Sequence, residues 1–170
     1  MALAVKTRFP FETAVKATVN TGAATQAKIR IRAPSWASGK MAILVNSKSA
    51  ATGNPGSYVV LDRTWVDGDT IEFTLPASLR VKRYTGEDQI AGKRRYSVEY
   101  GPILLAAVGS SQVDLMVEKG KRPESLSDHL QADPESPLHF TVRGNPGQKF
   151  IPYWQISSEE FTCFPSVSEA

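Results

Sequence analysis

The chain has one cysteine, two histidines and no long apolar run. A lone Cys163 excludes an intrachain disulfide, so the thiol content says nothing about redox compartment. It also cannot build a thiolate-rich zinc site alone. Its setting, Glu160-Phe161-Thr162-Cys163-Phe164, alternates like a strand and favours a packed thiol over a nucleophile. His129 and His139 have no second ligand residue at a recognised spacing, so neither nominates a metal centre. No segment is long enough to cross a membrane as a helix. The opening Met1-Ala2-Leu3-Ala4-Val5-Lys6 is too short for a secretory signal, and its charge follows the apolar part. The expectation is either a cytoplasmic protein or a piece of a longer chain, with no compartment named. No Asn-x-Ser/Thr acceptor occurs.

Charge of one sign is also scarce. Twenty Lys and Arg against 17 Asp and Glu leave a net charge of +3. That excess is too small to imply nucleic acid. The densest basic stretch holds Arg80, Lys82, Arg83, Lys93, Arg94 and Arg95. It reads as a solvated loop face, with an anion-binding patch as the sharper alternative. With 170 residues and an ordinary apolar fraction, the chain can bury a real core.

What is present is period-two alternation. Val15, Ala17 and Val19 share a face opposite Lys16 and Thr18. Ile29 and Ile31 lie between Lys28, Arg30 and Arg32. Ile71, Phe73 and Leu75 alternate with Thr70, Glu72 and Thr74. Met41, Ile43 and Val45 form another face. Turn residues fall between these runs: Ser38-Gly39, Gly53-Asn54-Pro55-Gly56, Asp67-Gly68 and Gly144-Asn145-Pro146-Gly147. Asp67-Gly68 is the strongest hairpin signal, because both residues tolerate the positive φ of a tight turn. Tyr96, Val98 and Tyr100 alternate into Gly101-Pro102 and a continuous apolar run, which reads as a strand, a sharp bend and a buried strand. The pattern predicts an all-β, two-sheet antiparallel sandwich, jelly-roll-like, as one domain over 1–170. Its core should include Ile29, Ile31, Ile43, Val45, Ile71, Phe73, Leu75, Val98, Ile103 and Leu105. Residues 109–137 are polar and proline-containing and read as a long connection, with a short helix over Glu124 to Gln131.

Chemistry is hard to place. Asp67 and Asp69 are close in sequence, but turns favour Asp because its side chain bonds the local backbone. Glu72 and Glu99 fall on polar strand faces. A glycosidase needs two carboxyls facing each other across a bond, and no such pair stands out. No nucleophile, base and orienter converge in the sequence. The aromatics offer more: Trp36, Trp65 and Trp154 each sit at a strand edge. Such rings either close the ends of a core or stack on sugar rings. Trp36, Tyr153 and Trp154 are the candidate carbohydrate-contacting residues; Trp65 is expected to pack.

Read together, several segments resemble the C-terminal β-sandwich region of the β-L-arabinofuranosidase family of bacterial glycoside hydrolases, family 127, formerly catalogued as a domain of unknown function. Thr7-Arg8-Phe9-Pro10-Phe11 is similar to the family's Thr-x-Tyr-Pro-aromatic entry. Ile29-Arg30-Ile31-Arg32-Ala33-Pro34-Ser35-Trp36-Ala37 resembles its Arg-Ile-Pro-x-Trp strand. Val45-Asn46 matches the end of its next strand, with Ser47 in place of the usual Gly. Tyr58 to Ile71 resembles its Trp-containing hairpin, and Arg95 to Ala106 its Gly-Pro strand pair. Phe150 to Phe164 is similar to its closing Pro-Tyr strand. The resemblance implies that catalysis belongs to a preceding (α/α)6 barrel, with a cysteine nucleophile in a zinc site of several cysteines and a glutamate. None of those residues maps onto this chain. The implied role is a non-catalytic domain that packs against and supports the barrel, with no cofactor of its own. The expected partner is the barrel of the same parent chain, and after it a second copy of this chain or a carbohydrate; nucleic acid and membrane are not expected. The competing reading is a carbohydrate-binding module using surface aromatics.

Overall fold

The computed structural model describes residues 1–170, and almost every element is a strand. The chain gathers into two compact units, Met1–Ser78 and Leu79–Ala170, each with its own apolar core. The all-β class read from the alternation is what the structure has.

The first unit contains β1 (Ala2–Thr7), β2 (Ala14–Asn20), β3 (Thr25–Arg32), β4 (Met41–Val45), β5 (Lys48–Gly53), β6 (Tyr58–Trp65) and β7 (Thr70–Thr74). Five of these form an antiparallel sheet in the order β1-β2-β7-β4-β5, while β3 and β6 pair separately from Thr25↔Trp65 to Arg32↔Tyr58. The core lies between these layers. Val19, Met41, Ile43 and Ile71 come from the sheet, and Ile29, Leu61 and Trp65 from the β3–β6 ribbon. Alternation explains the assignment: the residues between them, such as Lys16, Arg30 and Glu72, turn outward. Ile31, Phe73 and Leu75 pack against this core partly buried.

Trp65 is fully buried, and its indole Nε1 donates to the Ala27 carbonyl at 3.1 Å. The expectation that it packs is met. A buried indole needs such an acceptor, since an unpaired N–H inside is costly.

Two tight turns set the register. Asp67-Gly68 joins β6 to β7, with Gly68 at φ +82°. Asn46-Ser47 joins β4 to β5, with both residues at positive φ (51° and 63°). That is the geometry a two-residue hairpin prefers, and it is why Asn-Gly is the usual pair there. Ser47 carries a Cβ in a conformation suited to glycine.

The second unit holds β8 (Leu79–Arg83), β9 (Tyr96–Tyr100), β10 (Ile103–Val108), β11 (Asp114–Val117), β12 (Leu130–Ala132), β13 (Phe140–Val142), β14 (Asn145–Pro152), β15 (Phe161–Thr162) and β16 (Ser166–Glu169). Its main sheet runs β12-β13-β14-β10-β9-β8, with β15 also pairing β10. Gly101-Pro102 makes the expected bend, pairing Tyr100 with Ile103 across a hairpin. Leu105, Ala106 and Ala107 are buried, as the apolar run predicts.

Two features depart from the sequence reading. β11 and β16 pair in parallel, Asp114↔Ser166 to Val117↔Glu169, among otherwise antiparallel ladders. The segment 109–137 is also no mere connection. It supplies β11, a 3-10 helix over Pro123–His129 and β12, and it buries Val113, Leu115, Val117, Leu126 and Leu130 in the core. Its polar residues are the outward half of a short alternating strand and the exposed side of a helical turn.

Two stability measurements follow. Trp65→Ala should cost roughly 3–5 kcal/mol, as large aromatic truncations in cores do, and lower the thermal midpoint accordingly. Ser47→Gly should raise stability by about 1 kcal/mol, because it removes the left-handed penalty on a residue with a Cβ.

Candidate functional site

Carboxylates come first, because a glycosidase needs two of them facing each other across a bond. Asp69 is buried at the β6–β7 turn. It accepts from Asn46 Nδ2 at 2.7 Å and from the Val66 amide at 3.0 Å, and Arg63 Nη2 lies 3.9 Å away. The Asn46 and Val66 hydrogen bonds hold its carboxyl below the ordinary 3.8, against the opposing pull of burial, with the Arg63 charge adding to them. Asp67 accepts from the Thr21 amide at 2.9 Å. Both aspartates therefore brace turns, as turn chemistry suggests. Glu72 pairs with Lys16 at 2.7 Å, and Glu99 with Lys82 at 2.8 Å and Arg80 at 3.3 Å. No three His, Cys, Asp or Glu side chains converge as a metal cage.

Much of the basic stretch is paired too. Besides Arg80 and Lys82, Lys93 reaches Asp114 at 2.7 Å and Arg95 reaches Asp88 at 3.2 Å. The guanidinium of Arg95 also lies 4.8 Å from the Tyr84 ring centroid. Arg83 and Arg94 are exposed and form no ion pair. Cys163 is half-buried, and burial pushes its thiol upward, away from a nucleophilic thiolate.

The three aromatic candidates are placed differently. Trp36 is half-buried in the first unit and stacks on Phe9, with centroids 5.5 Å apart and planes 21° apart. Tyr153 and Trp154 lie together in the second unit, on a 3-10 turn after buried Pro152. They are 53% and 45% exposed, with centroids 6.2 Å apart and planes at 79°. Such an edge-on pair presents a corner rather than a flat platform. Behind it, Gln155 Oε1 and His139 Nε2 are 2.6 Å apart.

A broad concavity in the first unit involves none of them. It lies on the outward face of the five-stranded sheet, with a volume of about 970 Å³. Ala14, Ala42 and Leu44 supply apolar floor, and the Lys16–Glu72 pair crosses it. Lys6 on β1 stands directly opposite Lys16 on β2. The turn after β1 forms one wall, tied by the Arg8–Glu12 pair at 3.0 Å, and Lys40 and Pro76 stand on the other margin. Sequence reading passed over this face because its alternating residues resemble an ordinary solvated surface. The signal was the mixture of Ala14, Ala42 and Leu44 with the charges.

Comparison with known proteins finds the same β-rich fold elsewhere. The whole chain shares its fold with a solved glycoside hydrolase (18% identity, TM-score 0.64), a GH127 β-L-arabinofuranosidase from Geobacillus stearothermophilus (17%, 0.62) and a GH127 β-arabinofuranosidase (15%, 0.66). Each match covers 98% of this chain but only 32%, 30% and 31% of the other, so the chain spans about a third of those proteins. No curated protein matches it by sequence. What the chain shares with these proteins is its fold. By sequence, residues 1–77 match the family described as β-L-arabinofuranosidase, GH127 middle domain. The matched region is the family's middle domain and coincides with the first compact unit.

The Asp69 arrangement predicts a pH effect. A carboxyl held below its unfolded value adds stability that is complete above that value and is lost as pH falls through the folded one. Urea midpoints should therefore drop on acidification below about pH 4. Asp69→Asn should be less stable at neutral pH and show a shallower acid dependence. Equal acid slopes in the two proteins would show that Asp69 does not carry the effect.

Proposed function

We propose that this chain is a non-catalytic β portion of a larger glycoside hydrolase, packing against and supporting a helical (α/α)6 catalytic barrel of the same parent. The observation that carries this is the family match over residues 1–77 in a chain spanning about a third of its solved neighbours. The residues agree with the role. The buried aspartate braces a turn, and the other acidic residues of interest sit in ion pairs. A zinc centre of several cysteines does not fit here, since the chain has one cysteine, half-buried and with its thiol pKa raised.

A second reading rests on the exposure of Tyr153 and Trp154. An indole face open to solvent can stack on a sugar ring, and Gln155, the next residue on the same turn, is hydrogen-bonded to His139. Trp36 suits this less well, because Phe9 stacks on it. In this reading the domain holds a carbohydrate near the parent's barrel.

The purified chain should release no sugar from an aryl arabinofuranoside and should hold no stoichiometric zinc by elemental analysis. Zinc-dependent release by this chain alone overturns the supporting role. Titration with arabino-oligosaccharides, followed by tryptophan fluorescence, separates the two readings. A saturable change abolished by Trp154→Ala supports carbohydrate binding, and an unchanged spectrum supports the structural role alone.

A further inference from the structure

The outward face of the β3–β6 ribbon divides into a half whose polar groups satisfy one another and a half whose cations stay open. Its cross-strand pairs are Gln26↔Thr64, Lys28↔Asp62, Arg30↔Val60 and Arg32↔Tyr58. In the first half, Thr64 Oγ1 donates to Gln26 Oε1 at 2.8 Å and Gln26 Nε2 donates to Asp62 Oδ1 at 2.9 Å. Lys28 Nζ lies 3.2 Å from Asp62 Oδ2. In the second half no carboxylate stands opposite a cation, since Arg30 faces Val60 and Arg32 faces Tyr58. Both arginines are exposed, and neither forms an ion pair. Asp62 is diagonal to Arg30, but Gln26 and Lys28 hold its two oxygens. Successive same-face positions lie about 7 Å apart along a strand, so the two like charges are neighbours.

An aromatic ring completes the arrangement. Tyr58 is 61% exposed and Val60 49%. The Arg32 guanidinium carbon lies 6.0 Å from the Tyr58 ring centroid, at the outer limit of a cation–π contact, so the ring keeps open surface. A guanidinium fork matches a planar carboxylate through two parallel hydrogen bonds. A phenol ring can carry the apolar face of a sugar. A neutral sugar would use the ring and leave both charges unmatched. A nucleic acid needs more phosphate contacts than two arginines supply. An acidic peptide brings its carboxylates on flexible stems whose freedom is lost on fixing, whereas a uronate holds the carboxylate on the ring that stacks. We propose that Arg30, Arg32 and Tyr58 form a binding site for an acidic glycan. Its uronate carboxylates pair with the two guanidinium groups, and one sugar ring lies on Tyr58 beside Val60. The site stands on the ribbon alone and uses neither Tyr153 and Trp154 nor the supporting role.

The test is calorimetric titration of the 170-residue chain with trigalacturonate. Saturable binding that weakens with added salt is expected. Arg30→Gln and Arg32→Gln should each weaken it about tenfold, and the double variant should abolish it. Tyr58→Ala should weaken it several-fold. These side chains are exposed, so thermal midpoints should hold, which checks the fold of each variant. Lys40→Gln, in the other sheet's concavity, should bind as the unaltered chain does. No saturable binding, or binding that the double arginine variant retains, overturns the site. Equal binding of neutral arabinotriose overturns carboxylate recognition. Tighter binding of triglutamate or of a short oligothymidylate overturns the glycan in favour of an acidic peptide or a nucleic acid. Loss of binding in Lys40→Gln overturns the ribbon as its location.

Discussion

The Asp69 carboxylate is the point on which the first unit depends. It lies at the end of the β6–β7 turn, but its strongest partner, Asn46, belongs to the β4–β5 turn. Asn46 in turn accepts from the Thr70 amide at 2.8 Å through its own Oδ1. The backbone around Asp69 exchanges further bonds with β2: the Val19 amide donates to the Asp69 carbonyl, and the Gly68 amide donates to the Val19 carbonyl. The side chain thus ties the two turns together, and the backbone around it ties them to β2. A carboxylate can be buried at such a place only because donors surround it. Arg63 adds charge at 3.9 Å and also lies 5.1 Å from the Trp65 ring centroid, so the same corner connects the polar cluster with the largest core side chain.

This corner explains why a likeness to a family can be read at a place that builds structure. Trp65, Asp67, Gly68 and Asp69 form a compact motif whose residue types are set by packing, by positive φ and by carboxylate satisfaction. Each is demanded by the fold, independently of any chemistry. A function inferred from such a motif comes through family likeness, because the motif itself builds structure.

Much of this was legible in the chain because strand periodicity and turn dipeptides are local signals. Ile43, Val45, Ile71, Val98 and Leu105 are buried as their alternation requires. The 109–137 segment escaped because Val113-Asp114-Leu115-Met116-Val117 is short and flanked by polar residues and prolines, though its alternation is complete. The parallel partnership of β11 with β16 joins residues about fifty positions apart, and no local pattern encodes such a pairing. The concavity had the same difficulty: Lys6, Leu44 and Glu72 meet on one face only through the sheet order. Ser47 was visible as a departure from the family's Gly, but its cost became concrete only with a φ of 63°.

Strand β1 has a consequence of another kind. It closes one end of its sheet, pairs only with β2, and leaves all six of its residues exposed, Leu3 and Val5 among them. Its free side is a row of amides and carbonyls beside apolar side chains, with Lys6 its only charged residue. Such an edge is a template for another extended chain. Expressed apart from whatever covers it, this chain carries its own nucleus for self-association, and the ease of keeping it dispersed is set by that one strand more than by the strength of either core.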